Sequence, residues 1–482
     1  MAKKAIIIGE HSIASDMRGK YIDLAFDVKQ QHSQQTEGVA INDYDELCLL
    51  ANEGGDDKAV AMLADFAEKY DVESHGGNRL VCHLMLRSNQ AKRMLQTCDL
   101  CDMVKQKIDV YPFTMDEIWS RNLIFDYEPI TRQSEKHVHL VIFGMNDIAE
   151  MIAIQAAHVA HYPNYVRNHS LRTRITMIDA DAEKKSELFI KQYQYLFDNS
   201  FYRIIKPLEE KSVTKFHKPM YEGKREDFVD VEWEFVEAEL WNADVREKLR
   251  LWATDKKQQL TVVIADKDEN KNKSSSLLLP QELYQQSIPI HLYSQQVHGY
   301  DVTMPLVRMA KNVNFIYDRC YTENVKDWEG SLRYAVEIDA FKKEQLWAKL
   351  SNVKRMSSIY NAMTIPTKMR SIGLKEDEWE KFYDIPQQDV ELLAQVEHNR
   401  WCVEELILGF RPCTDEEQDI IAADVATQKE AYKARKIHYD LRAYNDLRPD
   451  KTGRGVQIYD LCLSACLPLI AKAFVNEKGG EV

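Results

Sequence analysis

The spacing of apolar residues changes character along the chain. From Lys4 to about Phe125, short apolar runs at Ala5 to Ile8, Gly38 to Asn42, Arg79 to Met85 and Ile108 to Pro112 have the length and flanks of strands. Helical periodicity fills Asp56 to Tyr70, Ser88 to Gln96 and Met115 to Leu123. Strands separated by helices of this length predict a parallel sheet with helices on its faces. The polar stretch Asp126 to Lys136, which holds Pro129, reads as a connection.

A second and fuller series follows. The run His139-Leu140-Val141-Ile142-Phe143 reads as a strand buried on both faces, and a helix-like segment continues from Asp147 to His161. Further strands are predicted at Ile175 to Ile178, Val231 to Val236, Leu260 to Ala265, Ile288 to Tyr293 and Val313 to Tyr317. Three of these are followed by an acid, Asp179, Asp266 and Asp318, at the edge where open α/β sheets bind ligands. Lys267 to Ser276, dominated by polar residues, reads as a mobile loop. From about Phe341 the strand signal vanishes, and helices are expected to the end, broken near Pro366, Gly373, Pro386 and the turn of Gly453 and Gly455.

Length supports this division, because 482 residues exceed the roughly 250–300 that one hydrophobic core serves. Hydrophobic residues at 45% and charged residues at 29% are globular values, so most of the chain is expected to fold. A formal charge of −14 repels a phosphate backbone, and no basic face with interleaved aromatics offsets it, which excludes nucleic acid as the expected partner. No apolar run approaches the roughly 20 residues that cross a bilayer, and Met1-Ala2-Lys3-Lys4 leads into a short strand, so the expectation is a soluble, cytoplasmic chain. Nine cysteines, an odd number thinly spread, fit a reducing compartment. Cys98-Asp99-Leu100-Cys101 lacks the second pair that a metal site needs, and Cys462 and Cys466, on one helix face with Leu463, Leu467 and Ile470, read as core.

Gly144-Met145-Asn146-Asp147-Ile148-Ala149 follows a strand and opens a helix, the context of the dinucleotide fingerprint G-x-G-x-x-G/A. Gly144 permits the tight turn and Ala149 allows close helix packing. Asn146 stands where the second glycine lets backbone approach a pyrophosphate, so it either narrows the site or hydrogen-bonds the ligand itself. Asp179, ending the next strand, is placed to accept from a ribose hydroxyl, with Pro163 to Arg172 absorbing the extra separation, and Asp266 ends a later strand on the same edge. The same residue types also suit a scaffold that has lost its ligand. In the first segment Gly9-Glu10-His11-Ser12 puts a carboxylate where phosphate would sit, which favours dimerisation or docking there and a packing role for His11.

Over roughly residues 137 to 320, the strand, glycine turn and distal Asp resemble the TrkA-N family of nucleotide-binding regulatory domains. That resemblance implies NAD or a related adenine nucleotide as ligand, paired subunits in a homo-oligomer, and a membrane-protein partner of the transport type.

The helical region carries Leu393-Ala394-Gln395-Val396-Glu397-His398-Asn399-Arg400-Trp401, then Gly409-Phe410, and later His438-Tyr439-Asp440-Leu441-Arg442-Ala443-Tyr444-Asn445-Asp446-Leu447. Glu397, His398 and Trp401 are three or four apart and share one helix side. Over about residues 385 to 475 this pattern resembles the RyR domain, first described in ryanodine receptors and found in bacterial and phage proteins; Tyr439 departs from it, since proline often follows that histidine. The residue types suit a flat anionic molecule. Trp401 or Tyr444 can stack a base, Arg400 or Arg442 can clamp phosphate, and Glu397 or Asp440 can read hydroxyls, with His398 completing the set. The competing reading makes Trp401 core and Glu397 with Arg400 a surface ion pair.

The expected architecture is therefore α/β: tandem Rossmann-like parallel-sheet domains at 1–130 and 137–335, then a helical region at 341–482 containing the RyR-like domain. No G-x-S-x-G, H-E-x-x-H or Walker lysine is present, His158 and His161 lack a third ligand, and no catalytic residue or metal site is assigned. The favoured expectation is a regulatory or signalling protein sensing a nucleotide-type molecule: NAD-derived, ADP-ribose-like or a cyclic nucleotide. A cytoplasmic regulatory subunit of an ion channel or transporter, and an NAD-dependent oxidoreductase, are the alternatives.

Overall fold

The structure, a computed structural model, describes residues 2–32, 38–50, 55–97, 101–124, 129–206, 213–219, 227–294, 301, 304–323, 325, 327–329, 338–375, 385–449 and 455–475. Cys98 and Gly453 lie outside them. The chain is a mixed α/β protein with two largely parallel sheets, grouped into two compact units. The first comprises Met1–Asn122, Ser294–Pro305 and Ala348–Met356; the second comprises Leu123–Tyr293, Leu306–Trp347 and Ser357–Val482. The helices beyond residue 357 thus belong to the same compact unit as the second sheet, because helix Gln387–Ile407 packs on helices Asp147–Val159 and Pro163–Arg167.

In the first unit, strands β1 (Lys4–Ile8), β2 (Asp27–Gln31), β3 (Glu46–Leu50), β4 (Leu80–Met85) and β5 (Ile108–Phe113) pair in parallel in the order 2-1-3-4-5, a doubly wound order with its switch point between β1 and β3. The strand expected at Gly38 to Asn42 is instead an approach to β3: Gly38 is left-handed with φ +89°, and Ile41–Asp43 forms one 3₁₀ turn. Strand β2 is polar and mostly exposed, as an edge strand can be, and carries no period-2 apolar signal.

In the second unit, β6 (His137–Phe143), β7 (Thr173–Asp179), β8 (Phe201–Ile205), β9 (Val213–His217), β10 (Val231–Glu237), β11 (Gln258–Ile264) and β12 (Ile290–Leu292) form a sheet in the order 12-11-6-7-10-8-9. Only β9 runs antiparallel. The chain reverses its winding between β6 and β11, so the topological switch point lies at their carboxyl ends. Val313 to Tyr317, read as a strand, lies inside helix Pro305–Thr322, where a short apolar run buried on several sides looks the same by periodicity. Asp318 is therefore on a helix and not at the sheet edge. Lys267 to Ser276 is mostly helix Glu269–Ser276, because Asp268 caps it and the buried Asn272 amide ties Asp266 to the carbonyl of Tyr293. Pro366 sits within helix Asn352–Ser371 and does not break it; the stop comes at Gly373, with φ +86°.

Side chains alternate across the sheet, and the register puts His137, His139, Arg174, Thr176, Glu232, Glu234 and Arg203 on one face. That face is polar toward the amino ends of its strands and apolar toward the carboxyl ends. Val141, Phe143, Ile178, Val236, Val262 and Ile264 there pack against Val245 and Leu249 of helix Ala243–Thr254. In the polar half His139 bridges Gln258 (2.9 Å) and Thr176 (2.8 Å), Thr176 donates to Glu234 (2.8 Å), and Arg203 pairs with Glu234. The chain of contacts spans five strands. Burial pushes Glu234 up, but Arg174 and Arg203 outweigh it and hold the carboxyl below its ordinary range, while burial drives His139 down to about 4 and keeps it neutral. The opposite face is aromatic: Phe189 and Phe197 pack on Trp233 and Phe235.

Thr176→Val keeps the shape but strands His139 and Glu234 without their shared hydroxyl. The expected cost is about 1–3 kcal/mol of stability, read as a lower urea midpoint with an unchanged slope.

Candidate functional site

The turn after β6 is built by residues that satisfy one another. Gly144 takes φ +110°, and a Cβ there would sit 3.3 Å from the Ala265 carbonyl oxygen, so both conformation and space demand glycine. Its N–H bonds the Ile178 carbonyl at 2.8 Å, fastening β6 to β7. Asn146 then caps helix Asp147–Val159: Oδ1 accepts from Ile148 N (3.0 Å) and Ala149 N (3.1 Å), while Nδ2 donates to the Ala265 carbonyl at 2.6 Å. The side chain at the second-glycine position thus occupies amides that a phosphate would use. Ala149 is fully buried, as close helix packing requires.

Asp179, at the end of β7, closes the turn from the other side. Its carboxylate accepts from Met145 N (2.9 Å), Asp181 N (2.9 Å) and both-oxygen contacts with Lys185 Nζ at 2.8 Å. Asp266, just after β11, pairs with Lys271 at 2.5 Å and accepts from Asp268 N; slight burial raises its pKa, but those donors win and lower it. Lys267 and the exposed Asp147 lie 3.5 Å apart at the rim. Gly144, Asn146, Asp179 and Asp266 therefore lie at the switch-point edge of the sheet beside three lysine-carboxylate pairs, while Ala149 is buried in the helix packing beneath them. This edge can offer carboxylates to hydroxyl groups, and offers amides to phosphate only when Asn146 turns away.

The second predicted set divides. Glu397 and Arg400 point into the protein, each nearly inaccessible, and join Lys368 and Glu404: Arg400 meets Glu397 at 2.8 Å and Glu404 at 2.6 Å, and Lys368 contacts Glu397. Burial raises the Glu397 pKa, yet Arg400 and Lys368 overwhelm it and hold the group down to about 2. This is a buried network, not a surface pair. His398 lies on another side of the helix, with Nε2 donating to the Arg442 carbonyl (2.8 Å), Cys402 Sγ 3.4 Å away and Nδ1 3.4 Å from Asp460. Burial lowers its pKa, but Cys402 and Asp460 raise it further, well above the ordinary value. Thiol, imidazole and carboxylate in series would suit a nucleophile, but Cys402 is fully buried and Nε2 is committed to a carbonyl.

Trp401 and Tyr444 are half-buried and flank His398, with ring centroids 5.6 Å and 5.8 Å away, and His438 meets the Trp401 ring edge-on at 4.8 Å. Arg442 is buried; its guanidinium lies over the Tyr439 ring and donates to the Tyr439 carbonyl (2.8 Å), so it locks its own turn. Asp440 pairs with Lys429 at 2.6 Å. Lys368, Cys402, Asp460 and His438 complete this region. His438 belongs to the motif legible in the sequence and Cys402 stands one turn from His398 on the same helix, whereas Lys368 and Asp460 come from other helices, and such contacts leave no local spacing to read. His158 and His161 have structural partners, Tyr360 by stacking at 3.9 Å and Asp230 at 2.8 Å.

Among the described residues no group of three or more His, Cys, Asp or Glu could hold a metal ion, and no helix is long and apolar enough to cross a membrane. Compared with known family models, curated proteins and solved structures, the chain matches none.

Two stability predictions follow from the buried helix. Arg400→Met leaves Glu397 and Glu404 short of their main partner and should cost about 3–5 kcal/mol in urea unfolding. Glu405, whose Oε2 is buried without a hydrogen-bond partner among the described residues, is pushed up to about 7 by burial and by Glu404. A carboxyl with a raised folded pKa stabilises below its unfolded value and loses that contribution as pH rises through about 7. Glu405→Gln should therefore stabilise the protein by on the order of 2–3 kcal/mol at about pH 8 and hardly at all near pH 4, compared by melting curves across that range.

Proposed function

We propose that the chain is a regulatory protein that senses a nucleotide-type small molecule, NAD-derived, ADP-ribose-like or cyclic, at the crevice between the carboxyl ends of β6, β7 and β11. The observation that carries this reading is the left-handed Gly144 turn at a topological switch point, with Asp179 and Asp266 beside a helix amino terminus. In this reading the two sheets are Rossmann-like, the helical region holds a RyR-like domain, and Trp401 with Tyr444 offers a second surface on which a base can stack. Ligand arrival exchanges the Asn146 cap for phosphate oxygens, and the freed Asn146 releases the Ala265 carbonyl, which couples occupancy to the β11 edge. Association into a homo-oligomer through the α/β units belongs to the same proposal, as does a protein partner that reads the change.

Asn146→Gly tests the exchange. Glycine costs a cap only a few tenths of a kcal/mol and leaves the amides open, so calorimetric affinity for ADP-ribose or NAD should rise, whereas Asp179→Asn should weaken it. If the wild type and Asn146→Gly both fail to bind NAD, ADP-ribose, cyclic ADP-ribose and ATP saturably, the proposal falls.

A further inference from the structure

In the second unit, helix Pro305–Thr322 and helix Gln457–Ala465 meet through two thiols. Cys320 Sγ lies 3.4 Å from Cys462 Sγ and 3.9 Å from the Ile458 carbonyl, so it rests against one face of the later helix. The two residues are 142 positions apart in the chain. They form a small core of their own with Val325 and Ile458, against which the half-buried Trp328 and Tyr459 pack. Tyr459 extends the seam, its ring 5.2 Å from that of Tyr317 and 6.4 Å from that of Tyr321, both exposed. A patch this thin can open locally, and Cys320 stands within the last turn of its helix, where fraying begins. Thiols pack no better than alkyl groups of their size, and what the pair adds is the capacity for a bond. A disulfide holds its sulfurs about 2.05 Å apart, so roughly 1.4 Å of closure would join them, within reach of side-chain rotation and a slight helix shift.

We propose that Cys320 and Cys462 form a reversible thiol switch, which hydrogen peroxide closes to a disulfide that clamps helix Gln457–Ala465 to helix Pro305–Thr322. The Cys320 thiolate attacks one peroxide oxygen, the O–O bond breaks, and the departing oxygen leaves as water, giving a sulfenic acid. The Cys462 thiolate attacks that sulfur, the S–O bond breaks, and a second water leaves. Two thiols thereby give up two electrons and two protons, which the peroxide takes. A thiol reductant reverses the bond by exchange. The consequence lies in what the later helix carries: Asp460, two residues before Cys462, faces His398 Nδ1 at 3.4 Å, and the helix packs along helix Gln387–Ile407. Closing so long a loop removes freedom from the opened chain, and holds Asp460 at His398. The switch does not rest on the reading of the Gly144 turn, since it needs no nucleotide.

Full-length protein treated with hydrogen peroxide under native conditions, quenched by alkylation and digested without reductant, should yield a peptide joining Cys320 to Cys462. That peptide should be lighter by two hydrogens than its two parts and be released by dithiothreitol. The oxidised protein should melt at a higher temperature, and amide exchange across Gln457–Ala465 should slow about tenfold. Cys320→Ser and Cys462→Ser should each abolish both changes; if either variant fails to fold, the peptide map and exchange of the wild type decide alone. Oxidation confined to the exposed Cys101, a bond through Cys466 in place of Cys462, or a Cys320–Cys462 bond that leaves exchange of the helix unchanged overturns the switch.

Discussion

A sheet covered on both faces offers a charged side chain little water, so the ionisable groups buried within it must find partners among the strands themselves. The second sheet meets this demand with the contacts that run from Gln258 through His139 and Thr176 to Glu234 and Arg203. They also fix pairing. A slip of one residue would turn Glu234 onto the face held by Phe189, Phe197 and Trp233, where nothing could answer its charge. With the polar load confined to the amino-terminal half, the carboxyl half is left apolar for helix Ala243–Thr254, and its ends are free to build the Gly144 turn.

Helix Gln387–Ile407 obeys the same demand by a different route. It is buried on almost every side while carrying Glu397, His398, Arg400, Glu404 and Glu405. Four of these are matched by groups from other helices or from its own next turn, and Glu405 is not, which is why burial acts on it almost unopposed. Replacing such pairs by apolar residues can be neutral or stabilising, so their worth here lies in specifying which helices meet.

How much of this was legible in the sequence depended on how local each signal was. Gly144, Asn146, Ala149 and Asp179 could be assembled in advance because strand, turn and helix are consecutive and the conformational need of Gly144 is local. What Asn146 does was not legible: its bond to Ala265 comes from a strand far along the chain. Strand β2 escaped because an exposed edge needs no apolar period, and Val313 to Tyr317 misled because a helix buried on several sides presents the same short run. The Glu397 and Arg400 pairing was visible as a spacing, but its burial depends on Lys368 from another helix.

The first unit is assembled from three separated stretches, and the last of them, Ala348–Met356, contributes Asn352, bonded to the Leu95 carbonyl, and Arg355, bonded to Asp109. During synthesis the amino-terminal sheet therefore leaves the ribosome long before the segment that completes it. Until that segment arrives, the Arg79 end of the sheet lacks its second guanidinium and the wall formed by the later chain. The first unit to be made is the one that must wait, and its maturation is tied to the folding of everything encoded between.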